Sequence, residues 1–364
     1  MRTRLRPSRF LVALAGTAFA AGCAGASANN ETKPTPNNGA AGEFACPAST
    51  LQSSSTTALS RSGRLRVITT VAPITSIVSR IAGDLADVSG VVPEGEDSHT
   101  YSPKPSVAAQ FSNADVVFAN GLHLEDATLA IAKATVPKSA RIVELGTQTI
   151  RPDEYLYDFS FPRDGGKPNP HLWTNPPMAS CYATIAAATL AAADPANADA
   201  YHANAQGFTR ELDELDRLMR DATASIPANH RVLLTYHDAY AYFAKHYGWT
   251  VIGAIQVSSF EDPTPKEVVS LIKQVKRAGV PAIFGSEVFP SPVLEQIGRE
   301  TGVRYVDQLR DDDLPGDPGD VGHSYLGLMK FDFVTMVRSL GGDATKLDAF
   351  NTTAPAPDTA RYAQ

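Results

Sequence analysis

Histidine is the residue with the most chemistry to offer in this chain of 364 residues, which holds eight of them. Imidazole ligates borderline divalent metals and titrates near neutral pH. Four of the eight, His99, His123, His171 and His237, stand in loops that follow strand-like runs or precede helix-like ones. In open α/β sheets ligands bind beyond the carboxyl ends of strands, so these four positions carry the most weight. His99 lies in Pro93-Glu94-Gly95-Glu96-Asp97-Ser98-His99-Thr100-Tyr101-Ser102-Pro103, a Pro/Gly loop after a strand-like run. His171 lies in Asn169-Pro170-His171-Leu172-Trp173-Thr174, just before a helix-like segment, and His237 in Leu234-Thr235-Tyr236-His237-Asp238-Ala239, at a strand-to-helix junction. The acidic run Asp311-Asp312-Asp313 adds carboxylates beyond the last strand-like run. Taken singly, each of these fits a capping or surface residue as well as a ligand. No His-Glu-x-x-His motif of a metalloprotease helix is present.

The elements that must position them come in two series. Leu65–Thr70, Asp87–Val92, Val116–Ala119 and Arg141–Leu145 read as strands, with helical spacing between them, for example Ile74, Ile77, Val78 and Ile81 ahead of Gly83. Val232–Tyr236, Thr250–Gln256, Ala282–Phe284 and Arg304–Asp307 form the second series, with a helix over Lys266–Ala278. Alternating strand and helix implies parallel sheets covered by helices. Between the series, Asp194-Pro195 starts a segment in which Tyr201, Phe208, Leu212, Leu215, Leu218 and Ala222 mark one helical face. Roughly 30 residues at 1.5 Å each would span about 45 Å. The chain therefore reads as α/β: two parallel-sheet lobes, residues 63–193 and 227–345, joined by one long rigid helix over 194–226, with a ligand site in the cleft between the lobes.

The termini read differently. Arg2, Arg4, Arg6 and Arg9 precede the apolar stretch Phe10–Phe19, and Ala20-Ala21-Gly22-Cys23 follows. This is a secretory signal over residues 1–22. The cysteine after small residues resembles a bacterial lipobox, departing from it at Ala20, where Leu is usual. Lipidation at Cys23 would anchor the protein to the cell membrane without a spanning helix, and a cleaved secreted form is the alternative. Residues 23–62, rich in small and polar types, read as a tether, and 346–364 as a flexible tail. Cys46 and Cys181 could pair outside the cytoplasm; the sequence leaves open whether they do. Lys and Arg number 32 against 39 Asp and Glu, a net charge of −7, which argues against a nucleic-acid partner. Three cysteines exclude a four-cysteine zinc site and a disulfide scaffold.

Several ordered motifs together carry a resemblance. They are Val67-Ile68-Thr69-Thr70-Val71-Ala72-Pro73-Ile74, the loop from Val92 to Ser106, Ala114-Asp115-Val116-Val117-Phe118-Ala119-Asn120-Gly121-Leu122-His123-Leu124-Glu125, Pro170-His171-Leu172-Trp173-Thr174-Asn175-Pro176, Tyr236-His237-Asp238-Ala239-Tyr240-Ala241-Tyr242-Phe243 and Ile283-Phe284-Gly285-Ser286-Glu287. Over residues 65–342 the chain resembles the substrate-binding lipoproteins of zinc/manganese ABC importers, the solute-binding protein A family. The resemblance implies a monomeric metal receptor, not an enzyme, that serves a membrane permease. Carried over by position, the metal ligands are His99, His171, His237 and Asp312, with Asp311 and Asp313 flanking the last. Three imidazoles and a carboxylate suit Zn²⁺ in a tetrahedral shell, with Mn²⁺ as the alternative cargo. The His-rich or acidic loop that many zinc members carry between the first two ligands is not matched in residues 146–170. Readings of another class are a zinc hydrolase, which would need an open water position on the metal, and a surface adhesin lipoprotein, for which no exposed motif is evident. Asp238 is expected either to orient His237 or to cap the following helix, His123 to pack at a helix start, and Glu287 either to border the site or to lie at the surface.

Overall fold

The computed structural model describes residues 44–47, 63–256, 263–286 and 291–363. The expected signal and Cys23 fall outside these residues, as does Glu287. The described residues all fall in one compact unit.

In chain order the first lobe runs β1 (Leu65–Thr69), α1 (Ala72–Ala82), β2 (Ala86–Gly90), α2 (Pro105–Phe111), β3 (Val116–Ala119), α3 (Asp126–Thr135), β4 (Arg141–Glu144) and α4 (Leu145–Thr149). Two long helices follow, α5 (Pro176–Ala193) and α6 (Ala198–Ser225). The second lobe runs β5 (Val232–Thr235), α7 (Ala241–Tyr247), β6 (Thr250–Ala254), α8 (Pro265–Ala278), β7 (Ala282–Ser286), α9 (Pro292–Thr301), β8 (Arg304–Leu309), α10 (Tyr325–Ser339) and α11 (Thr345–Asp348). All strand pairings are parallel, in the orders β2-β1-β3-β4 and β6-β5-β7-β8. Each of the eight expected strand runs overlaps one of these strands. β3 (VVFA) and β7 (AIFGS) are buried at every position, as central parallel strands covered on both faces must be. Proline opens α1, α2, α5, α8 and α9, where its missing N–H costs the helix nothing.

The lobes share one core. A single apolar cluster joins Val67 and Phe118 of the first sheet, the buried faces of α5, α6 and α10, and Leu233, Ala282 and Phe284 of the second sheet. Smaller clusters fill the far side of each sheet. α6 has 28 residues, about 42 Å at 1.5 Å each. Its buried face is the one the spacing implied: Tyr201, Phe208, Leu212, Leu215, Leu218 and Ala222. It starts three residues later than Asp194-Pro195 indicated. Asp194 Oδ2 accepts from Asn197 Nδ2 (2.6 Å) and Tyr201 Oη (3.1 Å), and this holds a separate 3₁₀ turn over Pro195–Asn197.

Two segments differ from the expectation. Residues 44–47 of the expected tether lie against the shared core, and Cys46 is disulfide-bonded to Cys181 of α5. A cross-link 135 residues apart in sequence restricts the unfolded chain and is worth about 3–5 kcal/mol of stability. The C-terminal tail is not free. After α11 it crosses the first lobe, and Arg361 forms a parallel bridge to Ser89. The reason is topological: β2 is the edge of its sheet, and an edge presents unpaired backbone groups that any extended segment can satisfy, whatever its composition.

Candidate metal centre

The segments that follow β2, α4, β5 and β8 converge between the lobes. His99 comes from residues 91–104, after edge strand β2. His171 comes from the chain after β4, where His171, Asn175 and Pro176 lead through one 3₁₀ turn into α5. His237 stands two residues beyond Thr235 of β5, and Asp312 three beyond Leu309 of β8. One ligand atom from each of these four residues lies within 4.8 Å of the other three. His171 and His237 are buried, and His99 and Asp312 are half-buried.

The distances have the scale of a coordination shell. His171 Nε2 is 3.1 Å from His99 Nε2 and 2.9 Å from His237 Nε2. Asp312 Oδ1 is 3.8 Å from His171 Nε2, and Asp312 Oδ2 is 3.9 Å from His237 Nε2. Ligand nitrogens about 2.0–2.1 Å from a tetrahedral zinc ion stand about 3.3 Å apart. Of the three adjacent carboxylates, Asp312 faces the imidazoles. The neighbouring Asp313 Oδ2 accepts from the Gly95 amide at 2.9 Å. Asp311, at φ 52°, lies beside Tyr240 and Asp332.

Protonation states follow from the neighbours. Asn169 Oδ1 accepts from His171 Nδ1 at 2.9 Å, while the same amide's Nδ2 donates to Asp158 Oδ2 (2.8 Å) and to the Asp238 carbonyl (2.6 Å). The amide is therefore oriented by four partners, counting the His171 N–H at 3.0 Å, and the proton of neutral His171 must sit on Nδ1. Gln256 Oε1 accepts from His237 Nδ1 at 2.7 Å and assigns the same tautomer there. Both Nε2 atoms then present lone pairs to each other at 2.9 Å. Beside them Asp312 Oδ1 is buried and accepts no hydrogen bond among the described residues. An arrangement of facing lone pairs and an unpartnered carboxylate oxygen is unfavourable unless a cation or proton lies between them. Burial, then the charge of His237, holds His99 and His171 well below the usual histidine range. Burial also opposes charge on His237, but Asp312, Asp311 and the bond to Gln256 together outweigh it and raise that residue. Burial raises the Asp312 carboxyl, partly offset by His237 and by the hydroxyl of Ser98, which donates to Oδ2 at 2.9 Å.

Asn169, Gln256 and Phe161 were not among the residues expected at the site. Phe161 walls it, its ring centroid 5.5 Å from that of His99 and 5.7 Å from that of His171. Asp238 neither orients His237 nor caps α7. Its Oδ2 accepts from the Ser160 amide at 2.8 Å, and its carboxyl pairs with Asp158 across the loop 155–170. Burial and the Asp238 charge raise the Asp158 carboxyl, and burial raises Asp238 as well. His123 stands ahead of α3 as expected, but exposed: Nδ1 lies 3.2 Å from Asp126, and the side chain is half in solvent.

Comparison with known proteins adds a family. A family model described as "Zinc-uptake complex component A periplasmic" matches residues 67–339. The manganese ABC transporter substrate-binding lipoprotein PsaA of Streptococcus mitis is 30% identical over 284 residues, covering 76% of this chain and 89% of that protein. The iron ABC transporter substrate-binding lipoprotein MtsA of Streptococcus pyogenes is 30% identical over 288 residues, covering 77% and 90%. Among solved structures, the periplasmic zinc-binding protein TroA of Treponema pallidum superposes with a TM-score of 0.69 at 26% identity, covering 76% of this chain and 99% of that one.

Proposed function

The chain belongs to the family of periplasmic zinc-uptake components, and from that premise we propose that it holds one Zn²⁺ between His99, His171, His237 and Asp312 and hands it to its permease. Proteins of this family are metal-binding receptors of ABC transporters, not enzymes, and they work with a membrane permease. The relatives' names carry manganese, iron and zinc, so the metal must be argued from this chain's own atoms. The observation that carries zinc is the pair of Nε2 lone pairs fixed by Asn169 and Gln256 and aimed at one point. Three imidazole nitrogens and one carboxylate suit a tetrahedral borderline ion, while manganese favours more oxygen. The membrane anchor is a lipid on Cys23, which places the receptor outside the cytoplasm. The Cys46–Cys181 disulfide accords with an oxidising compartment.

Order of affinity alone does not decide between the metals, because N/O sites of most geometries bind zinc above manganese. Elemental analysis with zinc-edge absorption spectroscopy does. One zinc per chain in a four-coordinate N₃O shell is expected, with manganese lost on gel filtration. A five- or six-coordinate site that retains manganese through the column overturns the zinc reading.

Metal release in this fold comes from movement of the ligand-bearing loops. Bending the lobes apart would expose the apolar core they share through α5, α6 and α10, and a continuous helix has no hinge. Metal-free and zinc-loaded protein should therefore give superimposable small-angle scattering profiles. A clear fall in radius of gyration on loading would contradict this.

A further inference from the structure

The four ligands are not held alike. His171 and His237 are buried and each is oriented by a side-chain amide, whereas His99 and Asp312 are half-buried and ride on the long loops 91–104 and 310–324. Those two loops touch each other through Ser98 to Asp312 and the Gly95 amide to Asp313. A third body meets both. The last residues of the chain, beyond the stretch 67–339 that the family model matches, extend the edge of the first sheet. The Arg361 amide donates to the Val88 carbonyl (3.0 Å), and the Gly90 amide donates to the Arg361 carbonyl (2.8 Å). Two residues on, the Glu94 amide, in the His99 loop, donates to the Ala363 carbonyl at 3.3 Å. Between these contacts Tyr362 places its ring edge-on to His323, centroids 4.7 Å apart. His323 belongs to the Asp312 loop; its Nδ1 lies 3.3 Å from the Gly316 carbonyl and its Nε2 3.6 Å from Glu94 Oε1.

We propose that residues 358–363 are a latch, with Arg361 and Tyr362 as positioning residues that tie the His99 loop to the Asp312 loop and so slow metal escape. The latch is fastened at its first residue, and the chain that leads into it is loose. Asp358 accepts hydrogen bonds from the Ser79 hydroxyl and from Tyr362 Oη. Just upstream, the run from Thr352 to Pro357 roofs a cavity of about 220 Å³ that Ser76 of α1 and Phe208 of α6 also line. A segment bridging a void gives up few packing contacts when it lifts, so it can open without unfolding the lobe. The bridge to Ser89 is a strand addition at a sheet edge, a pairing whose backbone bonds supply the affinity.

This inference rests on the metal-centre reading, and its test separates the two. Zinc release is measured by stopped-flow mixing of the loaded, full-length mature protein with excess chelator. It is then repeated on a chain ending at Pro357 and on Arg361→Pro, Tyr362→Ala and Tyr362→Phe. Arg361→Pro removes the N–H donated to Val88, and Tyr362→Phe keeps the ring on His323. One zinc per chain is expected throughout. Release should be faster by about tenfold or more in the truncated chain, Arg361→Pro and Tyr362→Ala, the range seen when groups that orient metal ligands are lost. Tyr362→Phe keeps the ring on His323 and gives up the bond from Oη to Asp358, so its release rate should fall between that of the unaltered protein and that of Tyr362→Ala. Unaltered release in variants that still bind one zinc, with or without a lowered melting temperature of the metal-free form, overturns the latch; should the truncated chain fail to fold, the point variants decide. Absence of zinc from the unaltered protein removes instead the metal-centre reading.

Discussion

Replacing His171 by alanine should lower zinc affinity by at least about 100-fold, and the same change at His237 should do likewise. Structural zinc sites of four protein ligands are worth about 10–16 kcal/mol at neutral pH. An even share is about 2.5–4 kcal/mol per ligand, or about two to three powers of ten at 1.4 kcal/mol each. His171 has the stronger claim because it lies within 3.1 Å of two other imidazoles at once and is buried with its tautomer fixed. Competition titration against a chromophoric chelator reads the loss, with circular dichroism as the check on folding. Asp312→Ala should show a similar loss, while Asp313→Asn, whose wild-type carboxylate is turned to Gly95, should lose far less. His123→Ala, at an exposed helix start, is the control and should bind normally. Retention of full affinity by His171→Ala, folded and loaded, would dismantle the proposed centre.

The strand and helix periodicities were strong enough to read both lobes from the sequence. Three of the candidate ligands followed from a general rule about the carboxyl ends of strands, since His99, His237 and Asp312 stand in loops after β2, β5 and β8, whereas His171 stands after α4, ahead of α5. The groups that orient them were much harder to see. Asn169 is two residues from His171 and could have been suspected from its spacing. Gln256 could not, because its role arises only when β6 lies beside β5 and brings position 256 back over position 237. Asp238 misled for a related reason. Adjacent in sequence to His237, it is directed instead into a carboxyl pair with Asp158 of the first lobe. The tail misled because composition measures what a segment can bury, whereas Arg361 and Tyr362 are held by an open sheet edge and by one histidine ring. Pairing across 135 residues, as between Cys46 and Cys181, is a property of the fold that no local pattern encodes.

The second large effect is of pH, and its slope distinguishes the histidines. Ligating imidazoles must be neutral, so protons compete with the metal. His99 and His171 are held well below the usual range by burial and then by the charge of His237, and they stay unprotonated through the neutral region. His237 is raised, because the charges of Asp312 and Asp311 and the bond to Gln256 outweigh its burial. It therefore keeps its proton in the metal-free protein to a higher pH than an ordinary histidine, near 6.5, does. Binding is undiminished well above the raised value and weakens as pH falls through it. Below that point affinity should drop about tenfold per pH unit, the slope of one displaced proton. The slope should steepen toward two only as the pH approaches the raised range of the Asp312 carboxyl. Isothermal titration in buffers of different ionisation enthalpy counts the proton directly. Close to one should be released per zinc once the pH lies below that raised value, and His237→Ala, although a weak binder, should release none there. Release of two or three protons at neutral pH would mean that His99 and His171 are charged in the metal-free cleft. Three facing imidazoles, of which two are fixed as Nε2 acceptors, could not then be the resting arrangement.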